Sequence, residues 1–141
     1  MDEITGQKLS IGQFAQVVGL SAYTLRYYEN EGLVKPKRDE ADRRYYDEMD
    51  VRWVRFLLHL KGTGMSIGQL KRYVELRAMG DETIPERLEL LGEVKQKCLD
   101  EIAQVQENLA VLNHKMDWYA GKLDGQIPDD EDFERYLSQF R

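Results

Sequence analysis

The stretch SIGQFAQVVGLSAYTLRYYENEGLVKP, running from Ser10 to Pro36, decides how this chain folds. Ser10 is a good N-cap because its hydroxyl can accept from a free amide of the first turn, and Ile11, Phe14, Ala15 and Val18 follow at helical spacing. A short first helix is therefore predicted as far as Val18, where Gly19 stops it. Ser21 caps a second helix in which Leu25 and Tyr28 face a core, while Tyr23, Thr24, Arg26 and Tyr27 share the other side. Two short helices bent at a glycine are the unit that lays its second helix in the major groove of DNA, leading with its N-terminal residues. On that reading Arg26 offers a guanidinium to guanine or phosphate, Tyr27 a ring to sugar or a thymine methyl, and Thr24 a hydroxyl to a base edge or phosphate. Tyr23 and the capping serines, Ser10 and Ser21, complete the candidate contacts on this side. For Arg26 the competing reading is an exposed ion pair with Glu29 or Glu31, worth under about 1 kcal/mol.

Beyond the second helix, Gly32 suits a left-handed helix end, and Leu33-Val34-Lys35-Pro36 turns the chain extended. Asp39 to Asp42 form a turn and Arg43-Arg44-Tyr45-Tyr46 returns, so residues 34 to 46 are predicted as a two-stranded basic hairpin, or wing. Lys35, Arg43, Arg44 and Tyr46 are its candidate phosphate contacts, of the kind that position a protein and make binding salt-dependent without reading sequence. Asp47 and Glu48 begin a third helix whose broad apolar face, from Val51 through Trp53, Val54 and Leu57 to Leu60, should pack under the first two. Gly62 and Gly64 break it. Ser66 caps a fourth helix with an apolar stripe of Ile67, Leu70, Tyr73, Val74 and Leu76, and a domain of residues 8–80 closes at Gly80.

From Thr83 to Leu123 apolar residues recur by threes and fours, with Pro85 at the helix start. The stripe through Leu88, Leu91, Val94, Cys98, Ile102, Val105, Leu109, Leu112 and Met116 advances by about 3.5 residues per step, the spacing of a coiled-coil seam. A single helix of that length needs a partner, and a second copy of the chain is the economical one, so residues 81–123 are expected to form a dimerisation helix. Residues 124–141 follow as a linker with the acidic run Asp129 to Asp132 and a short amphipathic helix carrying Phe133, Tyr136, Leu137 and Phe140, expected to pack back.

The fold class is thus all-α-rich, in a chain of 141 residues that has room for one modest core and an extension. The net charge of −6 argues against indiscriminate coating of nucleic acid, but the charge is uneven. The first 80 residues carry 13 Lys and Arg against 11 Asp and Glu; the remaining 61 carry 7 against 15. The acidic, polar start MDEITGQKLS lacks the regions of a secretory signal and no apolar run reaches membrane-spanning length, so a cytoplasmic protein is expected. One cysteine, Cys98, can form no internal disulfide and no multi-thiolate metal site. No nucleophile paired with a base and no phosphate-cradling loop is visible, so neither an enzyme nor a cofactor is expected.

The succession IGQFA, LRYYENEGL, Arg44 with Tyr46, and GMSI at Gly64 to Ile67 resembles the MerR family of bacterial transcription regulators over residues 8 to 77. The resemblance implies a winged helix-turn-helix head, antiparallel pairing of the long helices into a coiled coil, and a homodimer that bends or untwists promoter DNA for RNA polymerase, hence a nucleoid-associated protein. It makes Arg44 and Tyr46 the family-matching wing pair. Metal-sensing members use several cysteines or histidines, whereas this chain has Cys98, His59 and His114, so no metal site is expected. Aldehyde-responsive relatives keep a cysteine in the third helix where His59 stands here. Any small effector, its identity unknown, would have to bind between the DNA-binding domain and the coiled-coil end, near Trp53, His59, Tyr73, Trp118 and Tyr119. The alternative is a dimeric protein-interaction adaptor whose head no longer binds DNA.

Overall fold

The computed structural model describes residues 6–141. The first five residues, part of the start read above as no secretory leader, lie outside the described residues. The elements are α1 (Ile11–Val18), α2 (Ala22–Asn30), β1 (Lys37–Arg38), β2 (Arg44–Tyr45), α3 (Glu48–Gly62), α4 (Ile67–Ala78), a 3-10 turn (Asp81–Thr83), α5 (Ile84–Leu123) and α6 (Phe133–Ser138). No helix among the described residues is long and apolar enough to cross a membrane.

Helix starts follow local chemistry. Ser10 accepts from the Gln13 amide at 3.2 Å while Gln13 Oε1 accepts from the Ser10 amide at 2.9 Å, a reciprocal box that satisfies two otherwise orphaned donors. Ser66 with Gln69 repeats the device at α4, and Asp47 with Asp50 at α3. Between α1 and α2 the chain must reverse within three residues, and Gly19 does so at φ 77°, a left-handed conformation that costs a glycine little.

The chain forms two compact units, one reaching Lys95 and one starting at Gln96, and α5 runs through both. In the first, Phe14, Leu25, Val51, Val54, Leu57 and Leu70 pack α1 to α4 around a shared core. Arg55 reaches from α3 to the Val17 carbonyl at 3.4 Å, tying α3 to α1. The first turns of α5 belong to this core as well. Val94 is only 6% exposed there, with Leu90 and Leu91 packed against the same cluster. This corrects the assignment of Val94 to the dimer seam: its side chain is already covered within its own head, and Leu91 is half covered.

In the second unit α6 packs back on the end of α5, as expected. Leu137 is buried, Trp118 meets Phe133 edge-on at 5.7 Å, and His114 stacks on Phe140 at 3.9 Å. Farther back along α5, Ile102, Val105, Leu109, Leu112 and Met116 are all exposed.

Candidate nucleic-acid interface

Helix α2 presents its outer face through residues that nothing in the head covers. Tyr23 is 81% exposed, Tyr27 and Arg26 are exposed beside it, and Leu25 and Tyr28 are buried on the inner side, as the spacing requires. Ser21 accepts from the Thr24 amide and donates to Thr24 Oγ1, both at 3.0 Å, so the two leading hydroxyls of the helix are held together. The ion pairs that would have occupied Arg26 do not form, because both carboxylates are engaged elsewhere. Glu29 takes Arg44 at 3.0 Å and Glu31 takes Lys71 at 3.3 Å, leaving Arg26 without an ion pair among the described residues.

The wing is a minimal antiparallel ribbon with Lys37 opposite Tyr45 and Arg38 opposite Arg44. Its tip is organised by Asp39, whose Oδ1 accepts from the backbone amides of Arg43 and Ala41 at 2.9 Å each. The Arg43 amide first, then the Ala41 amide and the Arg43 charge, hold the Asp39 carboxyl below its ordinary range against the opposing effect of burial. Asp42 completes the turn at φ 61°. Arg43 lies exposed with its guanidinium 3.3 Å from Asp39, and Lys35 is exposed without an ion pair among the described residues.

Tyr46 is not on the surface. It is 0% exposed, its ring stacks on Phe14 at 4.4 Å, its hydroxyl donates to Glu29, and its backbone pairs with Leu9. Burial, then the Glu29 bond, pushes its hydroxyl well above the usual phenol range. The assignment of Tyr46 as a phosphate contact is therefore corrected. It is a positioning residue: with Arg44 it converges on one Glu29 carboxylate, itself 8% exposed, and so fixes the wing to the reading helix. Arg44, half exposed, keeps the face from which it can meet phosphate.

Sequence alone offers Glu29 only as a candidate partner of Arg26, and Lys37 only as positive charge near the wing; the structure gives both other partners. Lys37 binds Asp50 at 2.7 Å and Asp47 at 3.4 Å, anchoring the base of the wing to the start of α3. Burial alone would lower the Lys37 ammonium, but the bonds and charges of Asp50 and Asp47 outweigh it and raise it. Asp47 was legible as the start of α3, yet the partners of Glu29 lie 15 and 17 residues away and leave no local trace.

The residues expected around an effector divide between the units. Trp53 and Tyr73 stack at 6.4 Å in the first, where His59 stands exposed on α3; Trp118 and Tyr119 meet at 5.2 Å in the second. Cys98 is a free, half-covered thiol on α5.

A family model described as MerR HTH family regulatory protein matches residues 9–76, the stretch that holds both α2 and the wing. A relative from Haemophilus influenzae, described as an uncharacterized HTH-type transcriptional regulator, is 40% identical over 106 residues, 74% of this chain and 78% of that one. The chain belongs to the MerR family. It is a transcription regulator of the helix-turn-helix type, not an enzyme. Among solved MerR-family structures, HiNmlR, described as lacking the sensor domain and bound to promoter DNA, is 36% identical, covers 84% of this chain and 96% of its own, and superposes with a TM-score of 0.74. A MerR-family transcriptional regulator from Listeria monocytogenes is 32% identical, with 94% and 96% covered and a TM-score of 0.77.

Proposed function

We propose that this MerR-family chain binds promoter DNA as a homodimer, reads base edges with the outer face of α2, and holds phosphates with the wing. The observation that carries the reading is the free guanidinium of Arg26 between exposed Tyr23 and Tyr27, on a helix locked by Glu29 to a basic wing. The paired head follows from α5, whose exposed apolar stripe from Ile102 to Met116 is longer than a monomer leaves open to water. Each large apolar side chain covered there contributes about 1.5–3 kcal/mol, and the family resemblance supports antiparallel pairing.

Two heads joined by one pair of helices grip half-sites at a fixed separation, so a promoter that does not present them so is bent or untwisted on binding. Bending such a site costs on the order of 1–6 kcal/mol, which phosphate contacts from both wings can offset. RNA polymerase at the realigned promoter is the partner this distortion serves, a small effector is its control, and the cytoplasmic nucleoid is its place. The bound promoter named for HiNmlR supports the same reading.

Gel-shift titration against duplexes selected from the region upstream of its own gene, alongside scrambled duplex, tests it. Arg26→Ala and Tyr27→Ala should each weaken the selected duplex by about 1–3 kcal/mol more than the scrambled one. Equal losses on both would mean that α2 does not read bases.

A further inference from the structure

A cavity of about 520 Å³ opens in the first unit, between the connector of residues 32–37 that joins α2 to β1, the start of α3 and the last turns of α4. That volume falls in the range of sites for small organic ligands. Leu33, Pro36, Met49, Trp53 and Val74 give it apolar walls. Lys35, Lys37 and Arg77 also line it, against the single acid Asp50. Lys37 is shared between that acid at 2.7 Å and Asp47 at 3.4 Å, whereas Lys35 and Arg77 have no carboxylate partner among the described residues. Two cations without an ion-pair partner among the described residues, Lys35 and Arg77, therefore stand beside an apolar surface.

The disposition of Arg77 narrows the ligand. Its guanidinium lies over the Trp53 ring at 4.4 Å, and that ring is fixed in turn by its indole N–H donating to the Leu33 carbonyl at 2.8 Å and by Tyr73 stacked behind it. A guanidinium held over a ring keeps N–H donors that can take a planar oxyanion. A free phosphate dianion would leave the apolar walls uncovered. A carboxylate on an apolar body satisfies walls and cations together.

We propose that this cavity binds a small carboxylate carried on an aromatic or branched apolar body, and that its occupancy is transmitted to the wing. Arg77 receives the carboxylate, Lys35 supplies the second charge, and the body lies against Trp53, Met49 and Val74. The ligand bridges α4 to the connector that leads from α2 into the wing. It also neutralises Lys35, a candidate phosphate contact, so occupancy weakens DNA binding. This second step rests on the DNA-binding reading above; the first does not.

Indole-3-acetate and its neutral amide, indole-3-acetamide, serve as probes on the full chain without DNA, followed by NMR at the Trp53 indole N–H, which Trp118→Phe distinguishes from the other indole signal. A saturable shift with the acid is expected, weaker by about tenfold or more for the amide and by a similar factor in Lys35→Gln and Arg77→Gln, since each removes one charge-assisted contact. Lys35 is exposed, so its variant reports even if Arg77→Gln disturbs packing. No shift, equal affinity for acid and amide, or binding indifferent to both substitutions would overturn the site. In the gel shift, saturating indole-3-acetate should lower duplex affinity severalfold in the wild-type chain and leave Lys35→Gln unaffected. Binding of the acid with no change in duplex affinity would overturn the coupling to the wing. A chain that binds the acid but no duplex would refute the DNA-binding reading and leave the cavity assignment standing.

Discussion

At the residue scale, one carboxylate organises the site. The Glu29 side chain, 8% exposed, accepts from both Arg44 and Tyr46, so the angle between α2 and the wing is set by hydrogen bonds and not by the two-residue strands. Tyr46→Phe should keep the Phe14 stack but lose the hydroxyl bond, lowering stability in urea unfolding by about 1–3 kcal/mol. The pH dependence has a definite sign. In the unfolded chain the Tyr46 hydroxyl loses its proton near the ordinary tyrosine value of about 10, while burial and Glu29 keep it protonated in the fold to higher pH. Its contribution is fully present below pH about 10 and is lost as pH rises beyond it. Tyr28 is raised in the same direction by burial and then by Tyr27, so some alkaline sensitivity will remain. Unfolding at pH 8 and pH 11 should thus show a smaller alkaline loss in Tyr46→Phe than in the wild type; equal losses would remove Tyr46 from the account. Arg44→Ala should weaken binding to every duplex and reduce the salt slope by about 1, as removal of one phosphate contact does. An unchanged slope would show that Arg44 serves Glu29 alone.

At the element scale, the helices and their starts were legible because capping is local chemistry. Ser10, Ser21 and Ser66 each cap the helix that their sequence neighbours announce, and Gly19 turns the chain where the apolar spacing stops. The wing was legible as a hairpin for the same reason, with Asp39 to Asp42 supplying the turn. What was hidden depended on distant partners. Tyr46 sits in an exposed-looking run, Arg43-Arg44-Tyr45-Tyr46, but is claimed by Phe14 and Glu29 far back in the chain. Val94 fits the heptad rhythm as well as Ile102 does, and periodicity cannot say whether a covering surface comes from the same head or from another copy. The docking of α6 adds a close approach that sequence does not display. A β-carbon on Gly121 would lie 2.5 Å from Ile127 Cδ1 and 2.7 Å from Cγ1, while the Ile127 amide is bonded to the Gly121 carbonyl at 3.0 Å. Gly121→Ala should loosen this turn by about 1–3 kcal/mol, as overpacking does. Hydrogen exchange should then show faster opening of residues 127–138 with the head unchanged; unaltered protection there would mean that Ile127 yields at no cost.

At the scale of the whole molecule, the exposed face of α2 is carried on a chain whose long helix α5 calls for a partner. The front of the chain supplies the cations and the exposed face of α2, and the acidic back supplies a stripe of Ile102, Val105, Leu109, Leu112 and Met116 left open to water. Neither half is sufficient alone: a single two-helix reader buries little DNA surface, and an unpaired stripe of that length invites association. In the proposed dimer, pairing would make the separation and twist of half-sites a property of the protein and let binding energy deform the duplex. The most direct measurement is duplex affinity as the spacing between half-sites is varied in a selected operator. Inserting about 5 base pairs, half a helical turn, puts the second half-site on the opposite face of the duplex. Affinity should then fall to that of one half-site alone. An affinity indifferent to the insertion would contradict the coupling of two heads by α5.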